Sequence, residues 1–275
     1  MDLIKKKLLK DFLPETVEAF KEYNLIDDPL FTKAAEDKKF CEEILRTILG
    51  DPELVVVRNT PQAKLQNLKG RSVVLDALCR LKGGVMVDIE VQKTDNDDHL
   101  RRVRYNGAAL TTNITKTGTK FCEVPNVIII FISTFDIFKD GYALYHVDKI
   151  VRESSRKVED GLEEIYVNSA VKDGSKVSEL MKLFVDFKAY NKDEFPVVSE
   201  SKRFYKETEE GARAMCEITE KYGKKLYKKG EAKGILFTLK NMMRNLGLTA
   251  DKALDVCEVP TNERSFYLEK LKEVK

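Results

Sequence analysis

The chain has 275 residues, of which 43% are hydrophobic, so it can bury a substantial core in one large domain or two modest ones. Its 48 Lys and Arg residues nearly balance 46 Asp and Glu residues, giving a net charge of +2. This balance argues against a global field that attracts polyanions. Any contact with nucleic acid must therefore use a local basic patch.

Cysteine and histidine usage narrows the chemistry. The five cysteines are too scattered for a zinc ribbon or a CxxC redox site. Because His99 and His146 are the only histidines, a histidine-based metal cluster is not expected, although either residue can act singly. No secretory signal or membrane-length apolar segment is evident, so we predict a cytoplasmic protein without a membrane partner. Carboxylates are therefore the main candidates for catalytic or metal-binding groups.

The first fifty residues predict helices. Residues 3–13 and 14–23 carry helical patterns, and a further helix is expected where Asp28 provides an N-cap. Residues 36–50 place apolar side chains at helical spacing and end at Gly50, a typical helix stop. This last segment is expected to face the core.

The next part of the chain predicts strands. Residues 54–58 are short and β-branched, and residues 71–81 lead through a turn at Gly83 into residues 85–93, which indicates a hairpin. Residues 125–134 are continuously apolar, a pattern typical of a central strand covered on both faces.

Helical patterns return on both sides of that strand. Residues 95–115 predict a helix after the hairpin, whereas residues 141–151 and 162–170 indicate more peripheral strands. From residue 176 onward the pattern is helical and includes a long charged segment, residues 207–247. Its mixed charges favour a solvated or helix-pairing face over a nucleic-acid surface.

The second strand of the hairpin carries acids within an apolar pattern. Along VMVDIEVQK, Asp88, Glu90 and Gln92 share one face, and the alternate apolar side chains share the other. An odd-length loop around Gly83 places residue 76 opposite residue 90, so we expect Asp76 to face Glu90. Two like charges in that position are destabilising unless one is protonated or a cation lies between them.

A hard divalent cation would relieve this repulsion. Oxygen ligands without a thiolate or imidazole cluster favour Mg²⁺ or Mn²⁺ over zinc. Asp76, one oxygen of Glu90 and the Val91 carbonyl are the candidate ligands, and Gln92 is placed to orient an attacking water. This arrangement predicts phosphodiester hydrolysis.

A simpler interpretation stays open at this point. A hairpin at a sheet edge with one face in water would carry Asp88, Glu90 and Gln92 as its polar side, and such strands are common. Two features favour a functional site instead. Asp76 interrupts the apolar run VVLDAL, and a basic cluster opens the following helix.

The same segments resemble those of the PD-(D/E)XK nuclease superfamily, in particular its bacterial nuclease family transposases, which are related to recombination-promoting nucleases. The matching motifs are VVLDAL, DIEVQ and RRVRYN, with FCEVPNVIIIFISTFDIF and GYALYHVDKIV downstream and DDPLF upstream. The resemblance covers residues 25–168. It implies an α/β restriction-endonuclease-like core, a mixed sheet with flanking helices, in residues 1–175, followed by a helical C-terminal extension in residues 176–275.

The resemblance implies a metal-dependent DNA endonuclease associated with transposition or recombination, with Mg²⁺ or Mn²⁺ as its cofactor. The family's metal-binding acids fall on Asp76 and Glu90, and its glutamine, which replaces the lysine of the superfamily, falls on Gln92. Asp28 matches a further family acid, although a helix cap explains this residue equally well. Asn106 stands in place of the second tyrosine of the RRxRYY motif.

The basic cluster supplies a candidate DNA contact. Arg101 and Arg104 lie one helical turn apart, with Tyr105 beside Arg101, and together with Arg102 they are expected to bind phosphates flanking the cut. Alternatively, the arginines pair with the aspartates that precede them. His99 is expected at the surface.

Two other functions stay open. The chain can be an inactive DNA-binding or protein-interaction module on the same fold, which acids that do not converge on one pocket would favour. Alternatively, the C-terminal helices act as an assembly or DNA-docking element, through which a homo-oligomer would form. DNA is the expected partner, bound modestly and in a salt-dependent way. Asp88 has no usual counterpart in the family and is interpreted as a bystander.

Overall fold

The computed structural model describes residues 2–67 and 70–272. The chain begins with helices α1 (Asp2–Leu8), α2 (Pro14–Lys21), α3 (Asp28–Ala34) and α4 (Lys38–Leu49), which confirms the predicted helices. Helix α4 ends at Gly50, whose φ of 66° lies in the left-handed region that glycine adopts without strain. The predicted cap of α3 is wrong by one residue, because Asp27 is the N-cap and Asp28 is the first helical residue.

The strands and the helix between them follow in chain order. They are β1 (Val56–Leu65), β2 (Val73–Leu81), β3 (Met86–Gln92), α5 (His99–Ile114), β4 (Val127–Ser133), β5 (Leu144–Val147), β6 (Ile150–Val151), β7 (Arg156–Lys157) and β8 (Leu162–Asn168). In the described part of the chain, a six-stranded sheet has the order β1-β2-β3-β4-β8-β5. Strands β3, β4 and β8 are parallel to one another, and the remaining pairs in the sheet are antiparallel.

The sheet confirms the predicted hairpin and the central position of β4, and it corrects two other expectations. Strand β1 continues to Leu65, well beyond the predicted residues 54–58. Strand β8 is not peripheral, since it lies between β4 and β5 and its last residues, from Ile165 to Asn168, are buried. The whole strand pairs with β4, but its first three residues are not buried, and their polar character suggested a peripheral position.

Helix α5 covers the sheet face on which the hairpin acids lie. Its Val103 and Leu110 pack in one core cluster with Ile129 and Phe131 of β4. The neighbouring strand β3 is buried on both faces, since its residues alternate between the two sides and all but its end residues are buried. Polar side chains of β3 are therefore enclosed by protein.

The helical remainder of the chain divides between two compact units, residues 1–216 and residues 217–275. Helices α6 (Lys176–Val185) and α7 (Pro196–Glu207) contact α4 and belong to the first unit, so the predicted boundary at residue 175 falls inside that unit. Helix α8 (Glu209–Leu246) continues from the first unit into the second, where α9 (Ala250–Val256) and α10 (Thr261–Lys272) follow.

The second unit has its own small core. This core contains Leu239 of α8, Leu254 of α9 and Tyr267 of α10, all of which are buried. Across residues 2–67 and 70–272, no helix is both long enough and apolar enough to span a bilayer.

Candidate active site

The register of the hairpin brings two acids together. Strands β2 and β3 pair Ala77 with Ile89, and continuation of the same register places Asp76 opposite Glu90. The Leu81 N–H donates to the Val85 carbonyl, which closes a turn of three residues, so the loop is odd in length as predicted. Side chains directly opposite in an antiparallel pair share a face, and both carboxyl groups therefore lie on the same side of the sheet.

Reciprocal hydrogen bonds fix these two acids in place. The Asp76 backbone N–H donates to Glu90 Oε1 at 3.1 Å, and the Val91 N–H donates to Asp76 Oδ2 at 3.0 Å. Each carboxyl group is thus held by the backbone of the neighbouring strand. The arrangement does not rely on a flexible loop, and rigid elements hold functional groups more precisely than loops do.

The electrostatics of the pair are unfavourable without a cation. Burial is the main cause that raises the pKa of Asp76, and the charges of Glu90 and Asp28 raise it further. Burial likewise raises the pKa of Glu90, although the Asp76 N–H and the Arg102 guanidinium oppose this effect. Proximity of like charges is costly in a protein interior, so ionisation of both carboxyl groups is unfavourable unless a cation compensates their charge.

Asp88 lies on the same face of β3 as Glu90 and is more completely buried. Its side chain is completely buried, and the register places it between Leu78 of β2 and Ile129 of β4. The Glu90 carboxyl and the Asn106 amide are its polar neighbours, but neither Oδ atom accepts a hydrogen bond of acceptable geometry from the described residues. Burial, followed by the charges of Glu90 and Asp76, raises the pKa of Asp88 well above its ordinary value.

The burial of these acids decides between the two interpretations of the strand. Asp88 is fully buried and Glu90 is only 6% exposed, and β2 lies inside the sheet between β1 and β3. The hairpin is therefore not a sheet edge with a polar face in water, and that simpler interpretation is wrong. Buried acids without a partner are rare in cores that have only a structural role.

Gln92 lies at the end of β3 on the same face, with both ends of its amide engaged. Its Nε2 donates to the Thr94 carbonyl at 2.6 Å, and its Oε1 accepts from Arg102 at 2.5 Å. An amide nitrogen carries two hydrogens and the amide oxygen carries two lone pairs, so each end retains one further bonding position. The Gln92 amide is thereby oriented while it can still bind a water.

Asp28 approaches the pair from helix α3. Its Oδ1 accepts from Thr32 Oγ1 and from Gln62 Nε2, both at 3.1 Å, and its charge is one of the causes that raise the pKa of Asp76. Gln62 was not predicted as a site residue, because the sequence pattern did not indicate a strand beyond residue 58. No local pattern indicates that this residue lies beside an acid so distant in sequence.

The basic cluster divides into two groups of side chains. Arg101 and Arg104 are exposed and form no ion pair with any described residue. Arg102 is half-buried and, besides Gln92, contacts only Asp98 among the preceding aspartates, at 3.5 Å. The alternative that the arginines are all paired with those aspartates is therefore wrong. Tyr105 donates to the Arg71 carbonyl.

His99 differs from its predicted surface position. Its ring is only 5% exposed and packs against Phe131 and Phe135, with centroid distances of 5.4 and 4.8 Å. Its Nε2 lies 2.8 Å from Asp95 Oδ1, which accepts a hydrogen bond when that nitrogen carries the ring hydrogen. The charged sequence around His99 suggested a position at the surface. His99 is instead the first residue of α5, and its ring faces β4.

The ligand chemistry of the acid pair fits a hard cation. No group of three His, Cys, Asp or Glu side chains is arranged to hold a metal ion within the described ranges. Magnesium usually takes only one or two protein carboxylates and completes its shell with water and substrate phosphates. Asp76 and Glu90 supply that number.

A mixed sheet flanked by helices, with two facing acids on adjacent strands, defines a restriction-endonuclease-like PD-(D/E)XK fold with a helical C-terminal region. The model of the PD-(D/E)XK nuclease family transposases matches residues 28–233, about three quarters of the chain. The chain therefore belongs to the PD-(D/E)XK nuclease family transposases. No curated protein and no solved structure matches it. This membership supports a nuclease or transposase type of function, and DNA is the substrate class that it implies.

Proposed function

We propose that the protein is a metal-dependent DNA endonuclease that hydrolyses phosphodiester bonds during transposition or recombination. The supporting observation is the pair formed by half-buried Asp76 and buried Glu90, held face to face by two backbone hydrogen bonds. Such a pair destabilises the isolated protein, and a divalent cation removes that cost. Family membership supports a nuclease type of reaction, and the geometry of the two acids supports their assignment to it.

Each residue of the site has a distinct role in this proposal. Asp76, Glu90 and the Val91 carbonyl hold Mg²⁺ or Mn²⁺, and Asp28 is an additional acid nearby. When bound, the cation stabilises charge that develops on the phosphate and makes water a better nucleophile. The Gln92 amide orients the attacking water, and Arg102 fixes that amide.

The test of this proposal is nicking of supercoiled plasmid by the purified chain, with Mg²⁺, with Mn²⁺ and with EDTA. We expect nicking with either cation and none with EDTA. Asp76→Asn protein, purified identically, is the control for contaminating nucleases. Equal nicking by the wild-type and variant preparations would contradict the proposal.

Arg101 and Arg104 are proposed to bind the DNA backbone on either side of the cut. Replacing both by Gln is expected to weaken binding about tenfold at moderate salt, because two phosphate contacts are lost. The slope of log affinity against log salt should fall by about one for each contact. Fluorescence anisotropy with a labelled duplex measures both quantities.

Arg152→Gln, which removes an exposed arginine elsewhere in the first unit, is the matched control for this experiment. It should leave the affinity and the salt slope unchanged. A similar loss in Arg152→Gln would mean that net charge, rather than this pair of arginines, governs DNA binding.

An inactive DNA-binding module is the second candidate function. The observation in its favour is that the described acids do not form a three-residue metal cluster. Gln92 also supplies no positive charge where the superfamily's lysine would stand. Under this alternative the chain binds duplex DNA in the presence of Mn²⁺ but does not nick it, and Asp76→Asn leaves the affinity for DNA unchanged.

We further propose that the C-terminal helices join two copies of the chain. Leu226 and Phe237 of α8 expose 53% and 68% of their surface, and helical spacing places them with Gly230 on one face. Large exposed apolar side chains that share a face commonly mark an interaction surface. A second copy fits this face, because an antiparallel pair of α8 helices centred on Gly230 is self-complementary.

In that antiparallel pair, Phe237 of one copy meets Gly223 of the other, and Glu220 meets Lys240. Leu226→Lys combined with Phe237→Lys is therefore expected to halve the molar mass measured by light scattering. Phe121→Lys, which changes a side chain that is 97% exposed in the first unit, is the control and should leave the mass unchanged. A monomeric wild-type protein would contradict the proposed dimer.

A further inference from the structure

Gln62 occupies an unusual position in strand β1. The register pairs Pro61 with Ala77 and Ala63 with Leu75, so Gln62 lies directly opposite Asp76. Its φ is 50°, in the left-handed region, and among the described non-glycine residues with positive φ it is the only one inside a strand. A residue other than glycine is strained in that region, and strained residues are often found at functional sites.

The side-chain amide of Gln62 points between two acids. Its Nε2 lies 3.1 Å from Asp28 Oδ1 and 3.5 Å from Asp76 Oδ1, and it also lies 3.3 Å from Thr32 Oγ1. One nitrogen therefore bridges a side chain of helix α3 and a side chain of strand β2. The amide nitrogen has two hydrogens, so it can donate to both carboxylates at once.

The choice of an amide has a chemical consequence. A lysine or arginine at this position would neutralise the acids and compete with a metal ion for their oxygens. A neutral amide holds the two carboxylates in register and leaves their negative charge in place. Residues that orient ligands through hydrogen bonds commonly change metal affinity by about 10- to 100-fold when they are replaced.

We propose that Gln62 is a positioning residue that joins Asp28 to Asp76, so that helix α3 holds the Asp76 carboxylate in the orientation in which it binds a cation together with Glu90. This inference rests on the proposed metal-dependent function. It adds a residue outside the recognised motifs and gives Asp28 a defined connection to the acid pair. It also gives a reason for the strained backbone at Gln62 within strand β1.

The test measures both the stability and the cation affinity of Gln62 variants. If Gln62 had a purely structural role, its substitution would change both quantities together. Gln62→Gly removes the amide and relieves the positive φ, so the melting temperature of the cation-free protein should stay the same or rise. The affinity for Mn²⁺, measured by calorimetry without DNA, should fall about 10- to 100-fold. Gln62→Leu keeps the strained backbone and most of the side-chain volume, and it should show the same loss of affinity.

A double-mutant cycle with Asp28→Asn shows whether the two residues act as a unit. If Gln62 acts by joining Asp28 to Asp76, the effect of Gln62→Gly on Mn²⁺ affinity should largely disappear in the Asp28→Asn background. Additive effects would overturn the connection between these residues.

The remaining outcomes separate this inference from the proposed function. Unchanged Mn²⁺ affinity in Gln62→Gly and Gln62→Leu, with wild-type binding that depends on Asp76, would overturn the role of Gln62 and leave the metal site intact. Wild-type protein without Asp76-dependent Mn²⁺ binding would overturn both proposals. Mn²⁺ binding without nicking would contradict only the endonuclease activity.

Discussion

Asp76→Asn and Glu90→Gln are each expected to lower cation-dependent nicking at least about a thousandfold, because each removes one of the two carboxylates that hold the cation. Both substitutions keep an oxygen that accepts the same backbone hydrogen bond from the opposite strand. The local structure should therefore persist. Single-turnover nicking with saturating enzyme measures the chemical step and avoids effects of product release.

The same two variants are expected to be more stable than the wild type when no divalent cation is present. Each removes one of two facing carboxyl groups, and the removal of such like-charge repulsion commonly adds about 1–2 kcal/mol. For a unit of this size, each kcal/mol raises the melting temperature by about 2–4 °C. Added Mn²⁺ should stabilise only the wild type, since ligand binding to the folded state raises stability.

Glu163→Gln is the matched control, because it neutralises an exposed acid on β8 away from the hairpin. It should change neither nicking nor the response to Mn²⁺. Retained activity in Asp76→Asn would show that this acid is not required. A variant that loses activity and also melts at a lower temperature would point to misfolding as the cause.

Asp88→Asn is expected to stabilise the cation-free protein, and the gain should grow as the pH rises. Burial raises the pKa of Asp88 well above the ordinary value of 3.8, so the folded state keeps a proton that the unfolded chain releases. The stability of the wild type therefore falls as the pH rises above that value, until the folded state also releases its proton. Asn cannot ionise and avoids this loss.

The expected gain is about 1.4 kcal/mol for each pH unit over which only the folded state holds the proton. Urea unfolding in EDTA between pH 4.5 and 8.5 measures it. Glu153→Gln, which changes an exposed acid in a turn, should give a difference that does not vary with pH. If the difference in unfolding free energy between Asp88→Asn and the wild type is also independent of pH, the Asp88 carboxyl group is not protonated in the folded state.

The hairpin shows how much of the candidate site the sequence predicts. Alternation along β3 fixes which side chains share a face, and the odd loop length fixes the register that places Asp76 opposite Glu90. Both are local properties of consecutive residues. For the same reason the apolar run in β4 predicted a central strand correctly.

Tertiary packing decided what the local pattern could not. Alternation of side chains along a strand shows which residues share a face, but not whether water or a helix covers that face. The burial of Asp88 under α5 could therefore not be predicted. Likewise, β8 was expected at the periphery because its polar first half says nothing of which strands flank it. These properties depend on elements far apart in the chain.

Short motifs indicated the family, and the hairpin with its facing acids was predictable because turn length and side-chain alternation act between near neighbours. Only the tertiary structure brought Asp28 and Gln62 to Asp76. Their contacts join a helix to two strands across intervening chain, and such contacts arise from the packing of whole elements.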